Sequence, residues 1–186
     1  GDGLTARAVS YLQKMGLAKE VSRFHQIRGI SVYSPSRWEL SFPKRPGMPD
    51  HGATVSRTEL DMLLLKHAES VGVEIRQSAE VTAPQLDSGG RVVGVVLKSG
   101  EKVFADAGIA ADGAYSPVKR ALKLDSQYNG FSAIAIRAEM QASRPDSDLL
   151  DIYLNLKFRG DQLPGYGWVF PMGNGMLNTG VGYVNC

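Results

Sequence analysis

Residues 109–120 read Ile-Ala-Ala-Asp-Gly-Ala-Tyr-Ser-Pro-Val-Lys-Arg, and they limit the fold more than any other stretch. An apolar run stops at Asp112-Gly113; Ser116 then offers a side-chain cap and Pro117 a first helical position with φ already set. The pattern predicts strand, tight turn, helix. In open α/β sheets ligands collect at the carboxyl ends of strands, where a helix start presents free N–H groups to an anion. Gly113, without a Cβ, leaves room for a ligand to pass close to the main chain.

The 186 residues are 43% hydrophobic, enough for a buried core. Lys and Arg number 21 against 19 Asp and Glu, spread along the chain, so no basic stripe points to nucleic acid. The single cysteine, Cys186, excludes an internal disulfide and a Cys-based zinc site. No metal is expected, and the cysteine count fits a reducing compartment. There is neither an apolar run long enough to span a bilayer nor a signal peptide, so the expected location is cytoplasmic. Because the chain opens at Gly1-Asp2-Gly3 with no strand before it and stops straight after a strand-like run, it reads as a fragment.

Along the chain, Thr5 caps a first helix, and Gly1-Asp2-Gly3-Leu4-Thr5-Ala6 formally matches G-x-G-x-x-G/A. Without a preceding strand that match reads as a loop before a helix. Residues 30–33 and 38–42 form a hairpin through Ser34-Pro35-Ser36, and residues 44–53 form a loop. Ser56 and Glu59 make a capping box for a helix that Gly72 ends. Its first turn carries Arg57, a cation where the helix dipole disfavours one, so Arg57 is either solvated or kept for an anionic ligand. Residues 73–76 read as a strand, then 80–86, 91–97 and 102–105 as a three-stranded meander, and 107–111 as a return to the parallel sheet. Further on, residues 132–140 and 149–158 alternate, with Leu150, Ile152, Leu154 and Leu156 opposite Asp151, Tyr153 and Asn155. In Pro164-Gly165-Tyr166-Gly167-Trp168-Val169-Phe170-Pro171 three aromatics fall at every second position and share one strand face. Such a row packs a core or lines an apolar pocket. Gly180 and Gly182 on the returning strand leave space beside it.

Asp112-Gly113 after a strand resembles the Asp-Gly motif of flavoproteins with the para-hydroxybenzoate hydroxylase fold. Pro164, Tyr166, Trp168, Phe170 and Pro171 resemble the P-x-Y-x-W-x-F-P motif of geranylgeranyl reductases within that fold. Gly1 to Thr5 followed by Arg7-Ala8-Val9 is similar to the loop and helix after that family's redox-active cysteine. The resemblance implies a mixed α/β and α+β fold: a partial FAD-binding Rossmann-like layer with a meander (1–26 and 54–125), plus an antiparallel β substrate-binding sheet (27–53 and 126–186). It implies FAD as cofactor, reloaded by NADPH or another reductant. Gly1, Asp2 and Gly3 would lie near the flavin ring, Arg57 would meet the FAD, Val81 would sit at the adenine, and Asp112-Gly113 would approach the ribityl and pyrophosphate. Tyr166, Trp168 and Phe170 would line a tunnel for an isoprenoid chain, such as a geranylgeranyl lipid or a menaquinone side chain, with docking at a membrane surface. No catalytic residue is assigned; Tyr166 and the family cysteine, which falls just before Gly1, are alternative proton donors. The strand-G-x-G-x-x-G-helix unit, the acidic ribose ligand and the later Gly-Asp motif have no counterpart in this sequence. An aromatic hydroxylase of the same fold and a non-catalytic module for apolar ligands remain the other readings.

Overall fold

The computed structural model describes residues 3–124, 132–143 and 146–185; Gly1, Asp2 and Cys186 lie outside them. The chain divides into two compact units, residues 1–67 with 130–186, and residues 68–129. This division by packing groups 1–26 and 54–67 with the larger sheet, whereas the expected boundaries grouped them with the cofactor layer.

The first unit begins with a two-residue strand, β1 (Gly3–Leu4), where the sequence reads only as loop. The Thr5 hydroxyl oxygen accepts from the Ala8 N–H at 3.2 Å and caps α1 (Ala6–Leu12), which runs through a π turn at Gln13–Leu17 into α2 (Ala18–Val21). Then come β2 (His25–Ile27), β3 (Gly29–Ser34), β4 (Ser36–Ser41), β5 (Gly52–Thr54) and α3 (Arg57–Ser70). Half of the expected capping box is formed, the Glu59 N–H donating to Ser56 Oγ at 3.2 Å. Strands β1, β5 and β2 make a small antiparallel sheet. Val9, Leu12, Leu17, Val21, Phe24, Ala53, Val55 and Leu60 form a buried cluster with Leu63 and Leu64 at its edge. The loop before β5 is held by exposed charges. There Asp50 titrates below the ordinary carboxylate range, chiefly through its hydrogen bond with His51 and then through Arg28 at 3.7 Å.

In the second unit β6 (Val81–Leu86), β7 (Val92–Leu97) and β8 (Lys102–Phe104) form the expected antiparallel meander. Helix α4 (Pro117–Ala121) starts where Ser116 Oγ accepts from the Lys119 N–H at 2.9 Å, with Pro117 at its first position. The expected strands at 73–76 and 107–111 are absent. A strand exists only where ladder hydrogen bonds have a partner, and among the described residues no strand pairs with either segment; Ile109 is 96% exposed.

Back in the first unit, β9 (Ser132–Gln141), β10 (Leu149–Tyr153), the short β11 (Lys157–Phe158) and β12 (Asp161–Gln162), β13 (Gly165–Gly173) and β14 (Met176–Asn185) complete the chain. Six strands form one sheet in the order β4-β3-β10-β13-β14-β9. All its pairs are antiparallel except β3 with β10, a parallel pair made by chain segments more than a hundred residues apart.

The two faces of this sheet depart from an ordinary inside-outside pattern. On β3 and β10 the polar residues are the buried ones: Ser31 is 0% and Asp151 6% exposed, while Ile30, Val32, Leu150 and Ile152 on the opposite face are half-buried. On the polar face Tyr33 and Tyr153 stack 4.6 Å apart, the Tyr33 hydroxyl donates to Asp151 at 3.5 Å, and Arg37 Nη2 donates to Ser31 Oγ at 3.2 Å. Paired polar groups tolerate burial. The polarity of the faces changes across the sheet: on β9 the apolar residues Ile134 and Ile136, 74% and 73% exposed, lie on the Tyr33 side, while Arg137 and Glu139 lie on the side of Ile152.

Candidate functional site

The face that bears Ile30, Val32, Leu150 and Ile152 also carries the aromatic row. Tyr166, Trp168 and Phe170 project from β13 as expected, with Tyr166 and Trp168 ring centres 5.8 Å apart and those of Trp168 and Phe170 6.2 Å apart. They are not sealed inside: Tyr166 is 45% exposed, and Trp168 and Phe170 are half-buried.

Two residues of β14 set the attitude of the middle ring. Gly180 is the direct cross-strand partner of Trp168, and a Cβ built there would overlap the indole as well as the Ile136 carbonyl. Glycine at this position lets the indole lie across the neighbouring strand. Two residues earlier Asn178, 1% exposed, accepts from Trp168 Nε1–H at 2.8 Å. Sequence reading found the two glycines but not the asparagine, whose role depends on a cross-strand register. Asn178→Leu, close in size but without the acceptor, leaves a buried N–H unsatisfied and should cost about 1–3 kcal/mol in urea unfolding. An unchanged midpoint would show that the bond carries no weight.

At the other end of the row Phe170 meets the loop expected to lie at the cofactor. A Cβ built on Gly3 would stand 3.7 Å from Phe170 Cε2, so the first described residue of that loop packs against the last ring of the motif. The structure thus brings together Gly3 and Phe170, from opposite ends of the sequence. Arg57, in the same unit, is engaged by its own helix: Nε and Nη2 donate to Asp61 at 3.0 and 2.9 Å. That i,i+4 pair gives the first-turn cation a partner on its own helix.

In the second unit Val81, Asp112 and Gly113 line one trough of about 810 Å³, together with valines of the meander and residues 107–111. Gly113 has φ +82° with nothing within 4 Å of a built Cβ, so the main chain is open to close approach there. Ser116, whose hydroxyl caps α4, borders the same trough as Gly113 and Val81. Among the described residues no group of His, Cys, Asp and Glu could hold a metal ion, and no helix is long and apolar enough to cross a membrane.

The chain is similar to known proteins. The menaquinone reductase of Mycobacterium tuberculosis is 38% identical over 184 residues, 98% of this chain and 45% of its own length. Digeranylgeranylglycerophospholipid reductase of Haloferax volcanii is 34% identical over 138 residues, 72% of this chain and 33% of its own. The chain therefore spans less than half the length of these relatives. A geranylgeranyl bacteriochlorophyll reductase-like protein from Thermoplasma acidophilum superposes with a TM-score of 0.78 at 26% identity, over 98% of this chain and 46% of that one. PqsL of Pseudomonas aeruginosa, at TM-score 0.75 and 18% identity over 98% of this chain and 49% of its own, shares the fold alone. The architecture is that of the para-hydroxybenzoate hydroxylase-like flavoproteins. The family described as "FAD binding domain" matches residues 1–177, and this chain, with its meander, Asp-Gly turn and ring-bearing sheet, belongs to it.

Proposed function

We propose that the full-length protein containing this chain is an FAD-dependent reductase of carbon–carbon double bonds in isoprenoid chains. The observation that carries the reading is the half-open row Tyr166-Trp168-Phe170, which starts against Gly3 and continues into Ile152 and Val32 on the same face of its sheet. Relatives named for the reduction of menaquinone and of a digeranylgeranyl lipid support it and leave both substrates as options.

In this reading Gly1, Asp2 and Gly3 lie by the flavin, Arg57 meets the cofactor, Val81 lies at the adenine, and Asp112-Gly113 approaches the ribityl and pyrophosphate. Residues 1–26 and 54–125 serve the cofactor, and 27–53 with 126–186 serve the substrate. FAD, when bound, supplies the reducing equivalents for an alkene, with NADPH or another donor reloading it. The chain's own part is to exclude water and hold a greasy substrate in place, which rings with few rotatable bonds do at low entropic cost. A proton must also reach the second carbon. Tyr166 lies four residues along the strand from Phe170, about 13 Å at the usual rise, so with the flavin at Gly3 the family cysteine is favoured over Tyr166 as its source. A long isoprenoid substrate implies docking of a cytoplasmic protein at a membrane surface.

The test is product mass. Reduced holoenzyme given a geranylgeranyl lipid or menaquinone under nitrogen should return a product two hydrogens heavier per bond saturated. A product one oxygen heavier, formed only in air, would favour the hydroxylase reading; a colourless, inert protein would favour a binding module. The isolated 186-residue chain should bind FAD weakly or not at all in a fluorescence titration, since it has no strand-G-x-G-x-x-G-helix unit to hold the pyrophosphate. A tight one-to-one yellow complex would contradict that.

A further inference from the structure

The ring row runs along one strand, but the register shows a second row crossing it. Trp168 faces Ile152 on β10, Ile152 faces Val32 on β3, and Val32 faces Trp38 on β4. Direct partners in a sheet share a face, so the four side chains form one file perpendicular to the strands, about 14 Å long over three strand spacings. The neighbouring file repeats the character, with Leu150 facing Ile30 and Ile30 facing Leu40. Trp38 and Leu40 end these files on the edge strand, 66% and 54% exposed.

In the other direction the file changes kind. Beyond Trp168 come Gly180 and then Arg137, which is ion-paired to Glu139 at 3.1 Å on the same face. The wall is thus apolar from Trp168 toward β4 and charged toward β9. Only the first direction suits a hydrocarbon, because a chain laid over Arg137 and Glu139 would strip water from both charges.

We propose that the file Trp168-Ile152-Val32-Trp38 is a subsite for the distal part of the isoprenoid chain, which leaves the ring row at Trp168 and crosses the strands to exit over the sheet edge at Trp38. The inference rests on the function proposed above and adds the path of the tail and the residue that reads its length. Short substrates end before β4. Long ones reach Trp38.

The experiment compares full-length enzyme carrying Trp38→Ser or Trp38→Phe with the parent on a short prenyl substrate of two isoprene units and a long one of four or more. Trp38→Ser should lower kcat/KM for the long substrate about tenfold, the scale of one lost apolar contact, and leave the short one unchanged. Trp38→Phe should restore most of the loss. Equal losses on both lengths, no loss on either, or a loss that tracks a change in self-association by sedimentation would overturn the subsite, the last by showing that a second copy of the chain covers the edge. Should the parent enzyme reduce neither substrate, the proposed function fails and the subsite with it, a result distinct from active enzyme indifferent to Trp38.

Discussion

Gly180→Val in the full-length protein should cut isoprenoid turnover about 100-fold, the scale expected when a positioning surface shifts by about an ångström. The cause is steric. Any Cβ at this position overlaps the Trp168 indole, and the backbone of β9 behind it gives no room to retreat. Overpacking of this kind costs about 1–3 kcal/mol of stability, so the loss of turnover should exceed what unfolding at assay temperature explains. A double variant separates the two effects. Gly180→Ala combined with Trp168→Phe, whose smaller ring relieves the overlap, should be less impaired than the two single changes multiplied together. Simple multiplication of the two losses would mean that the glycine and the indole act independently.

Trp168→Ala is the second large effect. The indole is the joint between the row along β13 and the file across β10 and β3, so its removal opens a gap in both. Loss of a large apolar contact surface of about 1.5–3 kcal/mol corresponds to a KM for the lipid raised about 10- to 100-fold. Bound FAD, read from the visible spectrum, should be unchanged, because the ring that touches the Gly3 loop is Phe170. An unaltered KM would remove Trp168 from the substrate path, and loss of flavin would place it at the cofactor instead.

Local chemistry made much of this fold legible. Ser116-Pro117, the Ser56 half of its box with Glu59, the hairpin at Ser34-Pro35-Ser36 and the meander turns each depend on neighbours within a few residues, and these are present. The ring row was legible because a period of two needs no knowledge of what pairs with the strand. What the sequence hid depends on distant partners. Residues 73–76 and 107–111 have strand-like composition, yet no partner among the described residues pairs with them, so composition alone overreached. Alternation put Asp151 opposite Leu150 and Ile152 without saying which side is buried; Tyr33 and the parallel β3 strand, far off in sequence, bury the Asp151 side and leave the leucine and isoleucine side half-buried. The path from Trp168 to Trp38 passes through the same non-local pair. Asp61 as a partner of Arg57 was legible too, being four residues on along the same helix.

The most direct measurement places a substrate on the wall. A geranylgeranyl lipid carrying a diazirine midway along its chain, photolysed in the full-length FAD-loaded protein and mapped by peptide mass, should label residues 165–171 of β13 or 149–153 of β10. Excess unmodified lipid should suppress that labelling. Protected labelling confined to the opposite face, at Tyr33, Arg37 or Ile136, or label insensitive to competing lipid, would contradict a substrate path along these rings.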